Sequence, residues 1–182
     1  MTDAYIVGAV RSAGGKKNGR LSKIHPIDLG AEVVDALVAK TGVAVSEIDD
    51  LIFGCVSQVG AQSSNIARNI CLSSVLGEVV PGTTVDRQCG SGQQAMHFAA
   101  QGVLSGTQDL VIAGGVESMS QVPIGANIID GYKAEHGLPY GKKMSERYPG
   151  VQFNQFAGAE MLAHKYELTQ NELNAFAFDS HV

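Results

Sequence analysis

Apolar residues in this chain follow two alternating rhythms. Short apolar blocks at Tyr5–Val10, Leu51–Val56 and Leu110–Val116, and a β-branched block at Gly82–Arg87, are each bounded by polar or turn-forming residues. Blocks that short predict strands rather than helices. Between them the spacing changes to that of a helix. Pro26 suits a first helical turn, Ile27, Leu29, Val33, Val34, Leu37 and Val38 continue it, and Thr41-Gly42 ends it. Asn65–Leu76 predicts a second helix with Ile66, Ile70 and Val75 inward, and Gln93–Leu104 a third. Strands alternating with helices predict an α/β fold with a parallel sheet and helices on both faces.

The rhythm breaks after Met119. Residues 120–155 contain Pro123, Pro139 and Pro149 and no clear period. Such a stretch is rare in a compact domain unless it is functional or an inserted subdomain. Regularity returns at Ala159–Tyr166, and Thr169-Gln170-Asn171-Glu172 has the pattern of a capping box. The helix it opens meets no stop signal before Val182, which reads as a chain cut inside a larger architecture. There is no internal repeat.

Composition narrows the classes. A length of 182 residues fits one domain, or one and a part, and 45% hydrophobic with 17% charged residues excludes disorder as the main state. A net charge of −5 argues against a nucleic-acid partner. No apolar run approaches the roughly 18 residues of a membrane helix, so no membrane insertion is expected. Met1-Thr2-Asp3-Ala4 has no basic n-region, so no signal peptide is read, and a cytoplasmic location is expected. Cys55, Cys71 and Cys89 lack CxxC spacing, which predicts neither a disulfide framework nor a metal site.

One stretch concentrates chemistry: Val85-Asp86-Arg87-Gln88-Cys89-Gly90-Ser91-Gly92-Gln93-Gln94-Ala95. A strand feeds a cysteine, then Gly-Ser-Gly, then a helix, in the logic of a nucleophile elbow. Gly90 and Gly92 are expected to permit the sharp turn and a close substrate approach. Cys89 is expected at a helix N-terminus, where the positive dipole end and free N–H groups favour a thiolate and hold an oxyanion. A thiolate is the nucleophile for thioester exchange. Taken alone, the same residues also fit a buried structural cysteine or a phosphate-binding turn. No GxxxxGK(S/T) or GxGxxG run accompanies them.

Asp86–Ala95 resembles the nucleophile segment of the thiolases, the CoA-dependent acyltransferases. Gly114-Gly115-Val116-Glu117-Ser118-Met119-Ser120 is similar to that family's GG-x-ES-M-S segment. Ala4–Arg11 with its glycine-rich loop resembles the opening strand, and Ala159-Glu160 and Asn174-Ala175-Phe176-Ala177 resemble later helices. The matches run in order over almost the whole chain.

The resemblance implies a thiolase-like αβαβα layered fold built from two similar halves, with a loop domain inserted in the first. Residues 1–119 would be most of the N-terminal α/β domain and 120–182 part of the loop domain. Cys89 would carry the acyl group as a thioester, with its own N–H in an oxyanion hole. The reaction implied is thiolysis of a 3-ketoacyl-CoA by CoA, or the reverse condensation. Acyl-CoA and CoA would be substrates, with no permanently bound cofactor. A homodimer or homotetramer is implied for the complete enzyme, or a partner chain carrying the C-terminal half.

Two departures accompany the resemblance. The family's other catalytic groups, a His, an Asn and a second Cys, lie in downstream segments with no counterpart here. Cys55 and Cys71 read as core or helix-face thiols, and His25, His97, His136, His164 and His181 as solvated or structural. Second, Phe153-Asn154-Gln155-Phe156-Ala157-Gly158 stands where many thiolases have His-Met-Gly. Asn154, Gln155 and Phe156 are thereby substrate-binding candidates, in a version resembling thiolases for longer or bulkier acyl groups, including steroid side-chain degraders. The alternative is that Phe153 and Phe156 anchor a loop. Lys16, Lys17, Arg20 and Lys23 read as a solvated loop, and Lys142, Lys143 and Arg147 as a solvated surface or as partners for CoA phosphates. A competing reading of the whole chain is an inert truncated or split thiolase-fold subunit that binds a partner half. A condensing synthase using the same Cys is a third, disfavoured by Gly114–Ser120 and Gln93-Gln94.

Overall fold

The computed structural model describes residues 3–182; Met1 and Thr2, part of the N-terminal reading above, lie outside them. The chain divides into two compact units, the first running to Gly137 and the second from Leu138 to Val182.

In the first unit the alternating pattern becomes a three-stranded parallel sheet. Its strands are β1 (Asp50–Gly54), β2 (Gly82–Val85) and β3 (Val111–Gly115), in the order β2-β1-β3. Leu51 lies opposite Gly82 on one side and Ile112 on the other. Helix α1 (Pro26–Thr41) precedes the sheet, α2 (Ile66–Ser73) joins β1 to β2, and α3 (Ser91–Ser105) joins β2 to β3. The two crossovers run in opposite directions along the sheet. Crossovers of one hand therefore place α2 and α3 on opposite faces.

The strand residues divide accordingly. Leu51, Phe53 and Cys55 join Val34, Ile66, Ile70 and Cys71 in the core under α1 and α2, while Ile52 packs on Ala95 and Ala99 of α3. Burying a side chain such as Leu51 or Ile70 contributes about 1.5–3 kcal/mol. The ends of α1 follow its sequence. The His25 imidazole accepts from Ile27 N–H, Pro26 opens the helix, and Gly42 closes it at φ 69°.

Three expectations change here. Tyr5–Val10 forms no strand and lies outside the sheet ladder, with Tyr5, Ile6 and Val7 at least 70% exposed. A slot of about 1630 Å³ is lined by this segment, by α1, and by Val111–Val116 along β3. Side-chain type marks a strand-forming segment, but a ladder also needs a neighbouring strand within about 5 Å, and Tyr5–Val10 pairs with none of the described strands. Val75, expected inward, is 54% exposed, because α2 stops at Ser73 and Val75 N–H turns to the Asp35 carboxylate at 2.8 Å. The last helix, α7 (Gln170–Asp179), ends before the final residues, with Ser180 as its C-cap.

Residues 120–155, where no period was legible, hold two short helices, α4 (Ala126–Lys133) in the first unit and α5 (Lys142–Arg147) in the second. The second unit also contains α6 (Gln155–Lys165) and α7. None of its helices has a buried residue. A local cap holds α7 instead: Thr169 Oγ1 accepts from Glu172 N–H while the Glu172 carboxylate accepts from Thr169 N–H, the predicted capping box. Among the described residues no helix is long and apolar enough to cross a membrane.

Candidate active site

The carboxyl ends of the parallel strands, where α/β sheets place their ligands, gather the elbow and the loops after β1 and β3. The elbow leaves β2 at Val85 and enters α3 at Ser91. Its strained residue is Gln88, at φ 48°. A non-glycine residue there costs about 1–2 kcal/mol. A local set of hydrogen bonds, each contributing about 1 kcal/mol net, offsets this. The Asp86 carboxylate accepts from Gln88 N–H at 2.7 Å. Buried Ser91 Oγ accepts from Arg87 N–H at 3.0 Å and donates to the Gln88 carbonyl at 2.6 Å. Gly90 N–H donates to the Arg87 carbonyl and Ser91 N–H to that of Gln88.

The expected glycine roles are therefore redistributed. Gly90 sits at φ −97°, which any residue adopts, and Gly92 has room for a Cβ, with its nearest neighbour 3.9 Å away. The glycine that the elbow requires is Gly54, at the end of β1. A Cβ there would lie 2.4 Å from the backbone of Ser91 and Gly92. Gly115, at the end of β3, faces the same point: its Cβ would meet the Gly54 carbonyl oxygen at 3.0 Å and Gly92 Cα at 3.5 Å. The first turn of α3 thus rests backbone to backbone on the ends of β1 and β3.

Cys89 is exposed immediately before the Gly90 N-cap, and no side chain caps α3. Among the described residues no side chain caps the first turn, and its N–H groups beyond Ser91 are left for an incoming oxygen. The other two thiols are unlike it. Cys55 and Cys71 are buried, at 1% and 0% exposure. Burial, then the Glu117 charge, pushes the Cys55 thiol up to about 12, and burial pushes Cys71 up to about 11. Both stay protonated at neutral pH and are poor nucleophiles.

A polar network ties the loops after β1 and β3 together. The Glu117 carboxylate accepts from Val56 N–H at 2.8 Å, Ser57 N–H at 3.1 Å and Gln62 Nε2 at 3.0 Å. Gln62 is fully buried; its Nε2 also donates to the Ser57 carbonyl at 2.9 Å, and its Oε1 accepts from Ser118 N–H at 2.6 Å.

The three substrate-binding candidates fall in the second unit and have separate roles there. Asn154 is the N-cap of α6, its Oδ1 accepting from Phe156 N–H at 2.8 Å. It also lines a cavity of about 410 Å³ with Tyr140, Met144, Tyr148, Val151 and Phe153. Gln155 begins α6, and Phe156 is 76% exposed. Phe153 stacks on Tyr140 at 6.3 Å between ring centroids and meets Tyr148 edge-on at 5.5 Å. Of the basic candidates, Lys142 pairs with Glu146 at 3.6 Å and Arg147 lies over the Tyr148 ring. His25 caps α1, and His97 and His164 lie within helices. Among the described residues no cluster of His, Cys, Asp or Glu is arranged to hold a metal.

Comparison with known families matches residues 4–182 to the thiolase N-terminal domain. The chain belongs to the thiolase family. Thiolase relatives include a steroid 3-ketoacyl-CoA thiolase, FadA6, of Mycobacterium tuberculosis, 44% identical over all of this chain and 45% of its own length. A 3-ketoacyl-CoA thiolase of Acinetobacter baumannii is 40% identical over 98% of this chain and 44% of its own. Among solved structures, the Bacillus anthracis acetyl-CoA acetyltransferase superposes at a TM-score of 0.69 with 30% identity, over 93% of this chain and 43% of that one. The chain therefore spans under half the length of these thiolases. Its mixed helices and parallel sheet are those of an α/β thiolase fold. Sequence reasoning singled out neither Gln62 nor any role for Glu117. A glutamine in a Ser- and Gly-rich loop carries no local signal; only the fold reveals its partners.

Proposed function

We propose that this chain is the N-terminal portion of a 3-ketoacyl-CoA thiolase, with residues 1–119 in its α/β domain and 120–182 in its inserted loop domain. Cys89 is the nucleophile. Its thiolate attacks the 3-keto carbon of a 3-ketoacyl-CoA, and the Cys89 N–H holds the oxyanion that forms. The bond between C2 and C3 then breaks. Its electron pair stays on C2, which takes a proton and leaves as acetyl-CoA, while the acyl group remains on Cys89 as a thioester. The thiol of free CoA displaces it as a shortened acyl-CoA, and condensation is the reverse.

The observation that carries this reading is the exposed thiol immediately before the uncapped N-terminus of α3, at the carboxyl ends of a parallel sheet. The relatives' names, steroid 3-ketoacyl-CoA thiolase among them, support CoA thioesters as substrates. The aromatic cavity beside Asn154 supports an acyl group with apolar bulk. A homo-oligomer in the cytoplasm completes the proposal. The test is Cys89→Ser in the complete enzyme: thiolysis should fall at least 1000-fold, and retained activity would remove Cys89 from the mechanism. A second reading, a non-catalytic thiolase-fold chain that binds a partner half, is favoured by the apolar slot beside β3. It predicts no acyl transfer to Cys89 in any assembly.

A further inference from the structure

We infer that Glu117 and Gln62 are positioning residues for the Cys89 elbow, an inference that rests on Cys89 as nucleophile. The two side chains form a clamp across the ends of β1 and β3. Glu117 lies two positions beyond Gly115 and accepts from the N–H groups of Val56 and Ser57, just beyond Gly54. Gln62, fully buried, fills its remaining contacts from the other side, reaching both the Ser57 carbonyl and Ser118 N–H. Gly54 and Gly115 are the two residues on which the first turn of α3 rests. Their separation sets where Gly92, and hence the Cys89 N–H and thiol, are held. Val116 N–H to the Gly54 carbonyl, at 3.1 Å, is the last ladder bond between the two strands. Beyond it, among the described residues, the Glu117–Gln62 clamp continues the connection.

A clamp of this kind acts through geometry. Acyl transfer needs the thiol and the oxyanion donor aligned on one carbonyl, where a displacement of 1 Å is costly. Alkylation by a small reagent needs only an accessible thiol. The two reactions therefore separate positioning from folding. Glu117→Gln removes the charge and replaces one acceptor oxygen by an NH2 that must face an N–H donor. Gln62→Met keeps the Glu117 charge and the side-chain volume but removes the amide. Both are to be made in the native protein with any chain that co-purifies, and the wild type supplies the reference.

Single-turnover acylation of Cys89 by acetoacetyl-CoA, followed by intact-mass spectrometry, should slow at least tenfold in both variants. Iodoacetamide alkylation of Cys89 should stay within about twofold, and the cooperative melt should persist. Acylation within threefold of wild type overturns the inference. So does a parallel loss of acylation and alkylation, or loss of the cooperative melt in both variants, because the network would then hold the unit and not the elbow. A slowing in Glu117→Gln alone assigns the effect to charge and also contradicts the clamp. If wild-type Cys89 takes no acyl group, it is the catalytic reading that fails, a result distinct from all of these.

Discussion

Three cysteines of one chain have three environments, and position explains each. Cys55 directly follows buried β1 beside Glu117, Cys71 lies on the buried face of α2, and Cys89 stands at the mouth of α3. The sequence made Cys89 legible because strand, Cys, Gly-Ser-Gly and helix follow each other without a gap. It did not reveal Gly54, the glycine the turn packs on, because a glycine's neighbours in the chain say nothing about a backbone that packs on it from another element. Gly54 and Gly92 test this. Gly54→Ala drives a Cβ into the α3 backbone and should cost about 2–3 kcal/mol or more. Gly92→Ala enters open space within a helix and should leave the melting temperature nearly unchanged or raise it. Thermal melts of the two variants check the difference; equal destabilisation contradicts the backbone contact.

At the scale of elements, two kinds of helix were legible: those with a periodic buried face, and α7, which opens with a capping box and buries nothing. α1, α2 and α3 each bury apolar residues against the sheet, so their periodicity is written in the sequence. α4 buries Ala126 alone and α5 nothing, so neither displays an apolar period. The start of β1 carries an opposed pair of carboxyls that also depends on tertiary neighbours. Asp49 accepts from Leu110 N–H and Asp109 N–H, and these bonds, the first most, lower its pKa. Burial raises that of Asp50, despite the Gln108 amide beside it. A lowered carboxyl stabilises above its unfolded value, about 3.9, and that contribution is lost as pH falls through the folded value. A raised one stabilises only below about 3.9, and its contribution is lost as pH rises through the folded value. At pH 7, Asp49→Asn should therefore lower the melting temperature and Asp50→Asn should raise it. Shifts of the same sign in both would contradict the assignment.

The whole molecule leaves apolar surface open in both units. Beside β3 runs the slot facing Tyr5–Val10, and in the second unit Met161, Leu162, Phe176 and Phe178 are exposed on helices that bury nothing. This explains why a block that reads as a strand, Tyr5–Val10, lies outside the sheet: strand pairing is a property of the assembled sheet, and local sequence cannot supply the neighbour. Patches of this size drive association. In sedimentation velocity the isolated chain should self-associate with rising concentration, whereas a concentration-independent monomer would contradict the open surfaces.

The central claim is that Cys89 accepts the acyl group. Incubating the native protein with acetoacetyl-CoA, quenching in acid and mapping the mass shift by peptide sequencing tests it directly. The account predicts one acetyl adduct, on Cys89, removed by added CoA and absent from the buried Cys55 and Cys71. An unmodified Cys89, or an adduct on another residue, would contradict it.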